Sequence, residues 1–224
     1  MPPFDVQLAS RIDHTCLRPD AIGDDIDRLC DEARAFAFRT VCVQPVFVAR
    51  AARRLAGSGV GVASVVAFPH GVATTDTKLF EARRAVDDGA TELDVVANLG
   101  WIRAGDTAAL TAEIAAIVGV APSGSVKVIL ETAMFDEAQK RAAAEAVMQA
   151  RPAFLKTSTG FGPGGATAAD VALLRRVAGT QAQVKASGGI RTRADALAML
   201  TAGADRLGAS ASIALVTLAS GGAS

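Results

Sequence analysis

Residues 154–191 read FLKTSTGFGPGGATAADVALLRRVAGTQAQVKASGGIR, and the order of patterns in this stretch decides the fold class. A short β-prone run, Ala153–Thr157, ends in a glycine-rich turn. An amphipathic segment over Ala168–Val177 follows, and then a second short run, Gln183–Ser187. Strand, helix and strand in this order make a βα unit, the building block of parallel sheets.

The same unit recurs in both directions. Runs of four to eight residues rich in Val, Ile, Leu or Phe are expected as strands at Ile12–Thr15, Thr40–Gln44, Val62–Phe68, Glu92–Asn98, Val126–Glu131 and Arg206–Ala209, besides the two above. Helical segments are expected at Asp24–Phe36, Thr75–Asp88, Thr107–Val118, Asp136–Gln149 and Thr192–Ala202, with Gly89 and Gly203 placed as terminal caps. Eight units in 224 residues argue for an α/β chain folded as a (β/α)8 TIM barrel, one domain over residues 1–224 with a frayed tail at Ala219–Ser224. The competing open, doubly wound sheet lacks its glycine fingerprint. GSGVG (Gly57–Gly61) and GFGPGG (Gly160–Gly165) both miss the G-x-G-x-x-G spacing.

Composition narrows the function. Lys plus Arg and Asp plus Glu both number 23, so nothing directs the chain to nucleic acid or an anionic membrane surface. MPPFDVQLAS is not a signal peptide, no apolar stretch is long enough to span a bilayer, and three cysteines without a framework suit a reducing compartment, so the cytoplasm is expected. His14 and His70, the only histidines, do not form a metal-ligand set with nearby residues.

Side chains alternate across a strand, so each barrel strand has a helix-facing and an interior-facing set. In ELDVVAN, Leu93, Val95 and Ala97 oppose Glu92, Asp94 and Asn98. In VKVILE, Val126, Val128 and Leu130 oppose Lys127, Ile129 and Glu131. AFLKT and QVKAS put Lys156 and Lys185 opposite apolar partners. Four consecutive strands thus aim Asp94, Lys127, Glu131, Lys156 and Lys185 into one interior, with Lys127 and Glu131 read as an internal pair. Buried charges are costly unless paired or neutralised; structural ion pairs are one reading, but lysines clustered on three adjacent strands point to chemistry. An ordinary lysine, with pKa near ~10.4, is neutral in about one copy in 2,500 at pH 7. A neighbouring ammonium and desolvation both lower that pKa, and a shift of about 3 units, worth ~4 kcal/mol, yields a nucleophilic amine. Asp94 is then placed to move protons.

Three glycine- or hydroxyl-rich segments follow the last three strands: TSTG (Thr157–Gly160), SGGIR (Ser187–Arg191) and GASAS (Gly208–Ser212). Backbone N–H groups in such loops suit an anion, and barrels often bind phosphate there.

Taken together, IDHT (12–15), VCVQP (41–45), VVAFPHG (65–71), TTDTKLFEARRAVDDGATELDVVANLG (74–100), VKVILET (126–132), FLKTSTGF (154–161), VKASGGIR (184–191) and GADRLGAS (203–210) resemble the 2-deoxyribose-5-phosphate aldolase family over nearly the whole chain. The resemblance implies a lyase that reversibly cleaves 2-deoxy-D-ribose 5-phosphate to D-glyceraldehyde 3-phosphate and acetaldehyde, with no metal or organic cofactor. Lys156 matches the Schiff-base lysine, Lys185 the lysine that tunes it and Asp94 the proton-relay acid. Asp13 and Cys42 match positions near the substrate. The phosphate is expected at Thr157, Gly160, Gly188, Gly189, Gly208 and Ser210. The implied partner is a small phosphorylated sugar, and oligomeric state is left open between a monomer and a homo-oligomer, dimer or tetramer. The chain departs from the family in having Ser210-Ala211-Ser212 where two adjacent serines are common, in having Gln44 before the proline, and in containing no tyrosine, the residue that ends many members. Two other readings remain: a class I aldolase for another phosphorylated sugar or simple aldehyde, and a non-catalytic phosphosugar-binding barrel.

Overall fold

The computed structural model describes residues 3–218, so the expected tail at 219–224 lies outside the described residues. Eight parallel strands close into a barrel in sequence order, β1 pairing with both β2 and β8. They are β1 (Ile12–Cys16), β2 (Thr40–Val43), β3 (Gly61–Val66), β4 (Glu92–Val96), β5 (Val126–Ile129), β6 (Phe154–Lys156), β7 (Gln183–Ser187) and β8 (Arg206–Ala209). The helices are α1 (Val6–Ala9), α2 (Gly23–Ala35), α3 (Val48–Leu55), α4 (Thr75–Asp87), α5 (Leu99–Ala104), α6 (Thr107–Val118), α7 (Glu137–Gln149), α8 (Ala168–Ala178), α9 (Arg193–Thr201) and α10 (Ser212–Val216). This is the (β/α)8 barrel the alternating pattern predicts. No helix among the described residues is long and apolar enough to cross a membrane.

Helix starts follow their caps. The side chains of Thr74, Asp106, Asp136, Thr167 and Thr192 each accept a backbone N–H of the first turn of α4, α6, α7, α8 and α9, an arrangement worth about 1 kcal/mol per helix. Three expected strands end early because the backbone turns out of the sheet: Ala67 and Glu131 take positive φ (53° and 49°), and Pro45 opens a short 3₁₀ turn after β2. β4 ends at Val96, and Asn98 instead caps α5. Helices α1, α3, α5 and α10 were not expected. In α3, Val48, Ala51 and Leu55 form a buried stripe at helical spacing that three arginines interrupt.

The core divides in two. Helix-facing residues such as Val41, Leu93, Val128, Leu155, Val184 and Leu207 join the large apolar shell between barrel and helices. Inside the barrel, apolar residues gather on one side, around Leu17, Cys42, Ala63 and Val65. The opposite side of the interior, formed by β1 and β4–β8, holds charge.

Candidate active site

Strand register sets the depth of each interior side chain. Asp94 pairs with Lys127, Lys156 with Lys185, and Lys185 with Arg206, as neighbours across the sheet. Their side chains converge. Asp94 Oδ1 accepts from Lys127 Nζ at 2.7 Å, and Oδ2 accepts from Lys156 Nζ at 2.5 Å and Lys185 Nζ at 2.7 Å. Lys185 also donates to Asp13, which accepts from Arg206 Nη1 at 2.6 Å. Glu92 completes the group, 2.6 Å from Lys127 and 3.3 Å from Arg206.

Seven ionisable side chains therefore share one nearly dry interior: the cations Lys127, Lys156, Lys185 and Arg206, against the anions Asp13, Glu92 and Asp94. The formal count leaves one positive charge in excess. Uncompensated charge costs several kcal/mol in such a place, so the group reaches neutrality most readily if one lysine gives up its proton. The local fields select Lys156. Burial is the largest influence on its amine and lowers its pKa, Asp94 pulls the other way, and Lys185 adds to the lowering. Lys185 is buried as deeply, but Asp13 and Asp94 together overcome the burial and raise its pKa well above the usual lysine value. Lys127 is likewise raised against burial, chiefly by Asp94. Asp94 and Asp13 are held well below the carboxylate range by the surrounding cations despite burial. The second ammonium thus matters less for Lys156 than simple removal from water, although the sequence suggests both.

Lys156, the last residue of β6, forms the floor of a pocket of about 420 Å³ at the C-terminal end of the barrel. Gly160, Gly188, Gly189, Gly208 and Ser210 stand around it. Among the described residues no acceptor pairs with the N–H groups of Gly160, Gly188 or Gly189, so these donors are free for a ligand. The loops carrying them are pressed together: a Cβ on Gly165 would fall 2.2 Å from the carbonyl oxygen of Gly188, which only glycine avoids. A neutral amine below an arc of unpaired N–H donors can attack a carbonyl while an anionic group at the far end of the same molecule is held.

Three other expected contacts lie outside the pocket. Asp13, Cys42 and Thr157 do not line the pocket. Asp13 lies beneath Lys185, Cys42 is in the apolar half of the interior, and the hydroxyl of Thr157 accepts from the Ser187 N–H at 3.1 Å, tying β6 to β7. Lys185 and Asp94 do not line the pocket either: Asp94 meets its floor through Lys156, and Lys185 packs beneath Gly208. Glu131 is not the partner of Lys127; past the end of β5 it accepts from Thr159 instead. Residues missed from the sequence are Arg206 in the charged group, which Glu92 joins on the parity expected of it, and Arg18, Cys16, Thr159 and Phe161 in the pocket. Arg18 had a legible signal: it follows β1, which must neighbour β8 and its GASAS loop in a closed barrel. His70 is exposed and outside the pocket.

The thiols give a test of this layering. Burial, followed by the Asp94 charge, pushes the Cys42 thiol up to about 11, and burial pushes Cys30 to about 11. Only about 0.1% of such a thiol is thiolate at pH 8. Cys16, half-buried at the pocket wall, is expected to react with a thiol reagent at pH 8 at least tenfold faster than either. Peptide mapping of the labelled native protein reads this directly, and equal labelling of Cys42 and Cys16 would show that the interior is wet.

Comparison with known proteins agrees with the geometry. A profile of the DeoC/LacD family aldolases matches residues 8–221. Deoxyribose-phosphate aldolase 1 of Bacillus licheniformis is 46% identical over 211 residues, 94% of this chain and 95% of its own length. The deoxyribose-phosphate aldolase of Cyanothece sp. is 50% identical over 215 residues, 96% of this chain and 93% of its own. The solved structure of a tetrameric deoxyribose phosphate aldolase from Aeropyrum pernix superposes with a TM-score of 0.88 at 37% identity, covering 94% of this chain and 89% of that one.

Proposed function

The chain belongs to the DeoC/LacD family of aldolases, and from that premise we propose that it reversibly cleaves 2-deoxy-D-ribose 5-phosphate to D-glyceraldehyde 3-phosphate and acetaldehyde, with Lys156 as the Schiff-base nucleophile. The observation that carries this reading is the lysine at the pocket floor, the one lysine of the buried charged group whose pKa lies below the usual value, because burial outweighs the pull of Asp94.

The neutral Nζ of Lys156 attacks C1 of the open-chain sugar, and the carbinolamine loses water to give an iminium. The C3 hydroxyl yields its proton, C3 becomes a carbonyl, and the C2–C3 bond breaks with its electron pair delocalised into the iminium nitrogen. D-Glyceraldehyde 3-phosphate departs. The enamine is protonated at C2 and hydrolysed, releasing acetaldehyde and the free amine. Asp94, within 2.5 Å of Lys156 Nζ, serves the proton transfers directly or through water. Lys185, held protonated by Asp13 and Asp94, keeps the charge that favours a neutral Lys156. The phosphate rests on the unpaired N–H groups of Gly160, Gly188 and Gly189 beside Gly208 and Ser210, with Arg18 and Arg191 as the cations of the rim. Three free cysteines fit a cytoplasmic setting.

Incubation with 2-deoxy-D-ribose 5-phosphate is expected to release acetaldehyde and D-glyceraldehyde 3-phosphate in equal amounts. Borohydride with acetaldehyde is expected to alkylate the peptide that carries Lys156. Trapping without cleavage of this sugar would point to another aldol substrate, and absence of trapping to a binding protein.

A further inference from the structure

Glu131 has no part in the chemistry above, yet its position is demanding. Its backbone lies in the left-handed region (φ 49°, ψ 55°), which a long side chain rarely occupies unless its surroundings hold it there. Its carboxylate is buried, and among the described residues no lysine or arginine pairs with it. A buried carboxylate needs donors, and its donors come from a single residue: the Thr159 N–H at 3.2 Å and the Thr159 hydroxyl. On either side of Glu131 the strand end stays joined to β6, with the N–H groups of Leu130 and Thr132 donating at 3.0 Å to the carbonyls of Lys156 and Thr157. The left-handed turn therefore lifts one residue out of the sheet edge and sets its carboxylate against the loop after β6.

That loop is shaped around it. A Cβ on Gly162 would lie 2.8 Å from Glu131 Cδ, so the chain passes directly over the carboxylate, and a side chain there would have to push it aside. The Phe161 N–H donates to Thr159 Oγ1 at 3.0 Å, so the hydroxyl held by Glu131 holds the next turn in its place. Thr159, Gly160 and Phe161 are the pocket-lining residues of this loop. With the Thr159 and Phe161 N–H groups both engaged, the Gly160 N–H is left free between them.

We infer that Glu131 is a positioning residue for the phosphorylated end of the substrate: it never touches the ligand, but it fixes Thr159–Gly162 in the one shape that presents the Gly160 N–H to an anion. This rests on the phosphate reading of the pocket given above. Its signature is a loss of preference for phosphorylated substrate rather than a loss of amine chemistry.

Glu131→Gly is the informative variant, because glycine adopts the left-handed backbone freely, so the side chain is removed without straining the turn. Glu131→Gln, which keeps an acceptor for Thr159, is the rescue. The ratio of kcat/KM for 2-deoxy-D-ribose 5-phosphate to that for unphosphorylated 2-deoxy-D-ribose, and the inhibition constant of inorganic phosphate, are measured for all three proteins. For Glu131→Gly the ratio is expected to fall at least tenfold, mostly through KM, and phosphate to inhibit at least tenfold more weakly. Glu131→Gln is expected to lie within threefold of wild type on both. Trapping of acetaldehyde on Lys156 serves as the control that the barrel has folded. An unchanged ratio in Glu131→Gly, or equal losses on both sugars, overturns the inference. A wild type that neither prefers the phosphorylated sugar nor responds to phosphate overturns the pocket reading itself, which separates the two failures.

Discussion

Lys156→Met is expected to abolish aldol cleavage and at the same time make the protein more stable. Activity should fall at least ~10⁴-fold, since the nucleophile is removed and nothing nearby replaces it. Lys185 is held protonated by Asp13 and Asp94 and lies below the pocket surface. The stability gain follows from the charge count. Methionine preserves most of the buried volume and leaves three cations facing three anions, and Asp94 keeps Lys127 and Lys185 as donors. The folded-state pKa of Lys156 is lowered. Below the unfolded value of ~10.4, folding must therefore either bury an ammonium or expel its proton, and this cost vanishes as pH rises past ~10.4. The variant should be stabler by about 1–2 kcal/mol at pH 7, some 2–4 °C in Tm for each kcal/mol in a chain of this size, with the difference closing toward pH 11. Calorimetry across that range reads it. A variant no stabler than wild type at pH 7 would mean that Lys156 is not the excess charge. Stability given up for a reactive group is a common pattern at active sites.

Strand parity was enough to place Asp94, Lys127, Lys156 and Lys185 in one interior, because each sits on a strand whose other face is plainly apolar. Parity says which way a side chain points but not how deep it lies. Two residues along a strand move a side chain by about 7 Å, so the resemblance that set Asp13 and Cys42 near the substrate left their distance from the pocket open, and Thr157, one residue past the inward-facing Lys156, takes the opposite parity and faces away from the interior. Arg206 escaped notice, and Glu92, though on the same parity as Asp94, was left out of the charged cluster, for a related reason. Each is the first residue of its strand, at the bottom of the barrel, where a charge reads as the end of a loop. Glu131 was misplaced because alternation assumes extended backbone, and a single left-handed residue breaks it. The glycine loops were found from composition alone, because the close approach they permit has no other residue to make it.

Asp94→Asn is expected to cost both activity and stability, the opposite coupling to Lys156→Met. The carboxylate takes hydrogen bonds from the amines of three lysines, two of them on Oδ2. Asparagine has the same shape but one acceptor oxygen, and its NH₂ would face a lysine. The charged group would then hold four cations against two anions. Loss of the proton carrier should lower kcat by about 10²–10⁴-fold, and leaving buried ammonium groups unpaired should destabilise the fold by roughly 3–5 kcal/mol at pH 7. The pH dependence identifies the cause. Asp94 has a depressed folded pKa, so its contribution is complete above the unfolded value of ~3.9 and fades as pH falls below it. Lys127 and Lys185 have raised pKa values, so their contribution is complete below ~10.4 and is lost as pH climbs through their folded values. The gap between wild type and variant should therefore be widest from about pH 5 to pH 9 and narrow at both ends. In a Lys156→Met background the same substitution should cost less, because one of the stranded cations is already gone. Urea denaturation of the four proteins at pH 3, 7 and 11 tests this. A gap that is flat across the range, or fully additive costs, would mean that Asp94 and the lysines do not act as one charged unit.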